Sequence, residues 1–148
     1  MTAAATANSL DYTPPSSGSS SDPLSVSAEA KASLRILIID DDRTLREGCG
    51  SVLQVEGYNV SITGRGDEAM DMVARRRFDI ILCDLYMTPI SGMDLLKATL
   101  QANRDTLVIM MTGDPSVTSS VEALRAGAWD YLPKPFAASH LIVLLGRA

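Results

Sequence analysis

From Leu34 onward, apolar and polar positions alternate between two kinds of pattern. Short apolar runs predict strands, namely "LRILII", "YNVSIT", "FDIILCD", "TLVIMMT" and "AWDYLP". Each run is followed by a segment whose apolar residues recur at the three- and four-residue spacing of an amphipathic helix. These helical segments are "TLREGCGSVLQVEG", "DEAMDMVARR", "GMDLLKATLQAN", "SVTSSVEALRAG" and "PFAASHLIVLLGRA".

The strict alternation of strands and helices predicts an α/β fold. Strands separated by helices form a parallel sheet with right-handed crossovers, and the helices then cover both faces of a doubly wound sheet. Unbroken apolar runs at Ile80–Cys83 and Leu107–Met111 fit strands that are buried on both faces. We therefore expect five parallel strands at the centre of one domain.

The ends of the helices carry signals of their own. Thr44 and Glu47 have the spacing of a capping box, although the helix is also expected to start near Asp42, whose side chain would cap it or point to solvent. Gly57 and Gly127 follow the first and fourth helical segments, which is the usual place for glycine at a helix C-terminus.

The first part of the chain has a different composition. Residues 1–33 are rich in Ser, Pro, Ala and Gly and almost lack large apolar side chains. Such a segment cannot bury enough surface to offset the entropy lost on ordering. We predict a disordered N-terminal tail over 1–33 and a domain with a short last helix over 34–148.

Composition and charge exclude several classes of function. The 148-residue chain has a net charge of −5, which argues against direct nucleic-acid binding. No apolar run approaches the roughly 20 residues of a membrane-spanning helix, and the N-terminus lacks a signal-peptide pattern. Cys49 and Cys83 lie within apolar patterns and are expected to be buried thiols in a reducing compartment. We expect a cytoplasmic protein without a membrane or nucleic-acid partner.

Candidate chemistry lies at the ends of the predicted strands. In open parallel sheets, ligands bind outside the carboxyl ends of the strands. There the sequence places four acids, a hydroxyl and an ammonium group: Asp40, Asp41, Asp42, Asp84, Thr112 and Lys134. Crowded carboxylates repel one another, and a divalent cation relieves that repulsion. Mg²⁺ prefers oxygen ligands and keeps waters that a phosphate can replace, while Lys and Thr donate to phosphate oxygens. The set predicts a site for Mg²⁺ and a phosphoryl group.

Four longer pieces of sequence carry a family resemblance. They occur in order between Leu34 and Phe136, as "ILIIDDD", "IILCDLYM…SGMDLL", "VIMMTG" and "AGAWDYLPKPF". Together they resemble the receiver domain of two-component response regulators. The resemblance implies a flavodoxin-like sheet in the order 2-1-3-4-5 and a function in phosphorelay signal transduction. The last piece is similar to receivers that precede ATPase-type, NtrC-like transcriptional activators.

The resemblance also implies a role for each acid. Asp84 would be the phosphoacceptor, which takes a phosphoryl group from a phosphohistidine of a sensor histidine kinase. Mg²⁺ would be bound directly by Asp41 and Asp84, mainly through water by Asp40, and by the backbone carbonyl of Tyr86.

Further residues are implied to bind the phosphoryl group and to respond to it. Thr112 and Lys134 would contact the phosphoryl oxygens, and the Lys134–Pro135 peptide bond would be cis. Thr112 and Tyr131 would act as the switch that changes the face around the fifth strand.

The resemblance implies that this chain is a phosphoacceptor signalling domain. It would have at most self-phosphorylation and self-dephosphorylation activity and would not otherwise be an enzyme. The short last helix suggests a piece of a longer regulator, whose output domain or effector is not in this chain. Homodimerisation stays open, since that helix is a frequent dimer surface in the family.

The sequence departs from the family pattern at Thr88, which stands where the family usually has Pro. This departure leaves the direction of the Tyr86 carbonyl open.

Two alternatives compete with this interpretation. "ILIIDDDRT" also fits the Asp-x-Asp-x-Thr motif of haloacid-dehalogenase phosphohydrolases, with Asp40 as nucleophile and Asp42 as acid/base. Thr112 and Lys134 would match its later motifs, but no acid follows Lys134 and Asp84 would have no role. The other alternative is a receiver-like scaffold that has lost phosphorylation, although all the key residues are present.

Overall fold

Five parallel strands form the central sheet, in the order β2-β1-β3-β4-β5. The computed structural model describes residues 27–87, 90–113 and 116–147. Along the chain the elements are α1 (Ala28–Ser33), β1 (Arg35–Ile39), α2 (Arg43–Val55), β2 (Asn59–Thr63), α3 (Gly66–Arg75), β3 (Ile80–Asp84), α4 (Gly92–Ala102), β4 (Leu107–Thr112), α5 (Val117–Arg125), β5 (Asp130–Pro133) and α6 (Ala138–Gly146). The predicted doubly wound α/β sheet and its strand order are confirmed.

The strands are buried on both faces because their side chains alternate between two apolar clusters. Leu37, Ile39, Ile81 and Cys83 pack on one face together with residues of α3, α4 and α5. The neighbouring positions of the same strands point to the other face, where they meet α2 and α6. Each fully buried Leu or Ile contributes about 1.5–3 kcal/mol. This two-sided core explains the continuous apolar runs and fixes the strand ends relative to one another.

Helix α2 begins differently from the capping-box prediction. Asp42 is its N-cap, and the Asp42 carboxylate accepts hydrogen bonds from the backbone N–H groups of Thr44 at 3.0 Å and Leu45 at 3.3 Å. Thr44 lies inside the first turn, while Glu47 forms an ion pair with Arg43 at 3.0 Å. Thr44 as the cap is therefore wrong, because the extended backbone at Asp42 presents an equally good capping side chain earlier. The expectation that Asp42 caps the helix is confirmed.

Two helices are followed by glycine in a left-handed conformation. Gly57 has a φ of 100° after α2, and Gly127 has a φ of 111° after α5. Side chains with a Cβ are strained there, so glycine ends both helices as predicted.

The N-terminal segment differs in part from the predicted tail. Residues 1–26 lie outside the described residues, but Ala28–Ser33 form the short helix α1, so disorder is wrong for these six residues. The helix is held by polar contacts: the Lys31 ammonium pairs with Glu56 at 3.1 Å and lies 5.6 Å from the centre of the Tyr58 ring. Among the helices described, none is long and apolar enough to cross a bilayer.

Gly92 allows α4 to start against the end of β3. A Cβ at Gly92 would overlap the Asp84 carbonyl oxygen and lie 2.7 Å from Leu85 Cα. Because these are backbone atoms that cannot turn aside, Gly92→Ala is expected to lower the free energy of unfolding by about 2 kcal/mol in urea denaturation.

Gly48→Ala is the matched control, since a Cβ there meets nothing within 4 Å. It is expected to change stability by less than about 1 kcal/mol, and upward, because alanine favours helix. Equal losses in the two variants would contradict this account of Gly92.

Candidate functional site

Strand register brings the predicted site residues to one edge of the sheet. Ile39 is paired with Cys83, so Asp40, the next residue after β1, lies beside Asp84 at the end of β3. Thr112 ends β4 opposite Pro133 of β5, and Lys134 follows immediately. The carboxyl ends of four strands thus converge.

Lys134 lies between two buried carboxylates. Its Nζ is 2.7 Å from Asp40 Oδ2 and 3.5 Å from Asp84 Oδ2. The Lys134 backbone N–H donates to the Thr112 carbonyl at 2.7 Å, which ties the ends of β4 and β5 together. The Lys134–Pro135 bond is cis, as predicted. The ammonium group is therefore held in place by both its side-chain and its backbone contacts.

Burial and charge shift the pKa values of Asp84 and Lys134. Burial raises the pKa of Asp84, and the Asp40 charge raises it further; Lys134 and the Tyr86 N–H, which donates at 3.3 Å, only partly offset this. Burial alone would lower the pKa of Lys134, but the hydrogen bond and charge of Asp40, and then Asp84, hold it above its usual value. The lysine stays charged, and the negative charge of Asp84 is only partly compensated.

Three acids lie close enough together to hold a metal ion between them. Oxygen atoms of Asp40, Asp41 and Asp84 all lie within 4.8 Å of one another. Asp40 and Asp84 are buried, whereas Asp41 is exposed and gives access from solvent. Three carboxylates against one ammonium group leave excess negative charge, and such an oxygen donor set fits a hard divalent cation such as Mg²⁺.

Asp42, the third acid of the triplet, is not in that group. Its carboxylate is used by the N–H groups at the start of α2. Its backbone N–H instead donates to Asp40 Oδ1 at 2.9 Å. Asp42 thus helps to fix Asp40.

Tyr86 lies two residues after Asp84 and is 54% exposed. Thr88 and Pro89 lie outside the described residues, so the effect of Thr88 on the Tyr86 carbonyl stays open. Tyr86 as a metal ligand remains a prediction.

The predicted switch residues lie on two neighbouring strands. Thr112 is fully buried. Tyr131 is half-buried, and its hydroxyl lies 2.8 Å from Ser119 Oγ on α5. This contact holds the Tyr131 side chain against α5. Sequence reasoning missed Ser119, because nothing distinguishes it from its serine neighbours.

Arg46 is a second residue that the pattern did not single out. Its Nη1 lies 3.4 Å from the carbonyl oxygens of both Asp40 and Asp41. Sequence spacing alone does not reveal the contact, because the Arg46 side chain reaches backbone carbonyls and not another side chain.

The sequence is similar to those of response regulators. The family model for the response regulator receiver domain matches residues 36–145. Response regulator MprA of Mycobacterium bovis is 39% identical over 110 residues, which cover 74% of this chain and 48% of the relative. MprA of Mycobacterium leprae is 39% identical over 109 residues, with the same coverage. The chain spans about half the length of the curated relatives it matches.

Solved structures share the fold. A CheY-like receiver domain protein from Methanospirillum hungatei has a TM-score of 0.74 at 31% identity, covering 77% of this chain and 91% of its own. A response regulator from Burkholderia pseudomallei, solved with a phosphorylated aspartic acid, calcium ion and citrate, has a TM-score of 0.69 at 28% identity, covering 74% and 64%. A beryllofluoride-activated NtrC4 receiver domain dimer has a TM-score of 0.71 at 27% identity, covering 76% and 93%.

The raised pKa of Asp84 predicts a pH-dependent change in stability. A carboxyl whose pKa is raised by folding binds its proton more tightly in the folded chain, so its ionisation costs stability as pH rises above the ordinary value of 3.8. In EDTA near neutral pH, Asp84→Asn is expected to raise the free energy of unfolding. The gain should shrink as the pH falls through the raised pKa towards 3.8.

Urea denaturation of both proteins across this pH range measures the effect. Asp42→Asn is the control, because asparagine caps helices as well as aspartate does and that side chain is exposed. If Asp84→Asn were less stable than the wild type at neutral pH, the conclusion that the negative charge of Asp84 destabilises the fold would be contradicted.

Proposed function

This chain belongs to the response regulator receiver domain family, and we propose that Asp84 is the phosphoacceptor through which it acts in phosphorelay signal transduction. The observation that carries the proposal is the position of the Asp84 carboxylate. It lies at the end of a central strand, 3.5 Å from the Lys134 ammonium and within 4.8 Å of carboxylate oxygens of Asp40 and Asp41.

The proposed reaction transfers a phosphoryl group from a phosphohistidine of a sensor histidine kinase. An oxygen of Asp84 forms a bond to phosphorus while the phosphorus–nitrogen bond of the donor breaks. The electron pair of that bond stays on the imidazole nitrogen, and the product on this chain is an acyl phosphate. Beyond this step, the domain would have at most self-phosphorylation and self-dephosphorylation activity.

Charge is the main obstacle to this transfer, because an anionic nucleophile approaches an anionic donor. Asp41, Asp84 and the Tyr86 carbonyl would hold Mg²⁺ directly and Asp40 mainly through water. Bound there, the ion would supply positive charge to the phosphoryl oxygens. Lys134 provides a second cation, already charged and placed beside Asp84.

Thr112 and Lys134 are the proposed sensors of the product. A phosphorylated residue adds about −1.5 to −2 charges at one place, by analogy with other phospho-residues. Both side chains would donate to the phosphoryl oxygens, and each charge-assisted hydrogen bond contributes about 1.5–3 kcal/mol. A swing between two packings from 1:99 to 99:1 needs about 5.5 kcal/mol, so two such bonds supply much of it.

Tyr131 is the proposed aromatic switch. In this structure its hydroxyl lies within hydrogen-bond distance of Ser119 on α5, and its side chain packs against the apolar cluster that includes Met110 of β4. Movement of Thr112 toward the phosphoryl group would let the ring turn inward. The face around β5, with its flanking helices, would then change shape for an output domain, an effector or a second copy of the chain.

The phosphohydrolase alternative is disfavoured by the position of Asp42. An acid/base in that scheme must face the nucleophile Asp40, but the Asp42 carboxylate accepts hydrogen bonds from two backbone N–H groups of α2. Asp84, which has no role in that scheme, lies in the acidic group instead.

We propose that the domain is cytoplasmic. Its two cysteines, Cys49 and Cys83, are buried free thiols, which favours a reducing compartment.

Phosphorylation by a small phosphodonor tests the proposal directly. After incubation with acetyl phosphate and Mg²⁺, mass spectrometry is expected to locate the acid-labile phosphoryl group on Asp84. Asp84→Asn should abolish labelling while the circular dichroism spectrum is unchanged. Asp42→Asn, the matched control, should be labelled like the wild type. A label on Asp40 would favour the phosphohydrolase, and no label would favour the scaffold.

The three neighbouring acids are expected to differ in Mg²⁺ binding. Asp41→Asn removes a proposed ligand and should raise the dissociation constant by about tenfold or more in a calorimetric titration, since loss of an outer-shell partner alone costs about that much. Asp42→Asn should leave the constant near the wild-type value, because its side chain caps α2. Equal effects of the two substitutions would refute the ligand assignment.

A further inference from the structure

We propose that Arg46 is a positioning residue that fixes the orientation of Asp41 for Mg²⁺ binding, an inference that rests on the function proposed above. The Arg46 side chain folds back from the first part of α2 over the turn that connects β1 to α2. Its Nη1 is 3.4 Å from the Asp40 carbonyl oxygen and 3.4 Å from the Asp41 carbonyl oxygen. These two carbonyls belong to the peptides on either side of the Asp41 Cα.

Asp41 depends on such a contact more than its neighbours do. Asp40 is fixed by the Lys134 ammonium at 2.7 Å and by the Asp42 N–H at 2.9 Å. Asp84 accepts from the Tyr86 N–H. Among residues 27–87, 90–113 and 116–147, no side chain or N–H group donates to the exposed Asp41 carboxylate. The direction of that carboxylate is therefore set by its own backbone, which Arg46 restrains at both flanking peptides.

Gly64 provides the space that the Arg46 guanidinium group occupies. A Cβ at Gly64 would lie 2.8 Å from Arg46 Nη1, 3.0 Å from Cζ and 3.4 Å from Nη2. All three atoms are at the far end of a flexible side chain, so alanine at this position would displace the guanidinium group and leave the backbone in place. Gly64→Ala thus separates the contact from the presence of the arginine.

The sign of the effect distinguishes positioning from charge. A guanidinium group close to a cation site repels the cation, so loss of its charge alone would tighten Mg²⁺ binding. Loss of a positioning contact weakens binding, because the carboxylate is no longer held in the binding orientation. Gly64→Ala keeps the positive charge of Arg46 on the chain and only displaces the guanidinium group from the two carbonyl oxygens.

The test is a calorimetric Mg²⁺ titration of the wild type, Arg46→Ala and Gly64→Ala. Both variants are expected to raise the dissociation constant by about tenfold. Arg43→Ala is the control for loss of an arginine on the same helix, since Arg43 is exposed and pairs only with Glu47 among the described residues. Gly48→Ala is the control for an added methyl group in open space. Both controls should bind like the wild type.

Thermal unfolding of every variant in EDTA separates positioning from general damage, since the metal-free stability of Gly64→Ala should stay near that of the wild type. An unchanged or lowered dissociation constant in either test variant would overturn the role of Arg46. If Arg46→Ala does not fold, Gly64→Ala decides alone. Absence of Mg²⁺ binding in the wild type would instead overturn the proposed metal site and this inference together, so the two failures are distinguishable.

Discussion

The structure at the carboxyl edge depends on one ammonium group shared by two carboxylates. Lys134 Nζ lies between Asp40 and Asp84, and all three side chains are largely removed from water. Charges in such a place are costly unless they are paired, and removal of the lysine, which would leave both carboxylates unpaired, is expected to cost about 3–5 kcal/mol. With Asp41 added, the negative charges outnumber the lysine. That imbalance makes the edge receptive to a cation, and the shared lysine keeps the acids together before one arrives.

The rest of the fold holds this group in place. The strands are pinned by apolar side chains on both faces, so the distances between strand ends follow from the register. The hydrogen bond from the Lys134 N–H to the Thr112 carbonyl joins the ends of β4 and β5. Movement of Thr112 or of Lys134 towards a bound phosphoryl group would thus be transmitted between the two residues through this one backbone hydrogen bond. Tyr131, three residues before Lys134, is held by Ser119 and is well placed to respond.

The sequence was sufficient for the fold and for bringing Asp40, Asp41, Asp84 and Lys134 together, but not for every contact. Alternating periodicity predicted a parallel α/β sheet, and the family resemblance implied its strand order. The ends of the strands predicted the convergence of Asp40, Asp41, Asp84 and Lys134. The residue that caps α2 was harder to predict, because aspartate and threonine both suit an N-cap position. Asp42 caps the helix, and Thr44 does not. Helix α1 was missed because Lys31 stabilises it through a charge and a ring that are distant in sequence. Arg46 was missed because a long side chain that reaches backbone carbonyls leaves no periodic signal.

We propose that Asp84 carries a phosphoryl group beside a cation held by its neighbours. A crystal structure of the protein with Mg²⁺ and beryllofluoride, a phosphoryl mimic, tests it most directly. We expect the mimic on Asp84, the ion in contact with the Asp41 and Asp84 carboxylates and the Tyr86 carbonyl, and Thr112 and Lys134 in contact with the fluorides. A mimic bound to Asp40, or an ion coordinated by Asp42 in place of Asp41, would contradict it.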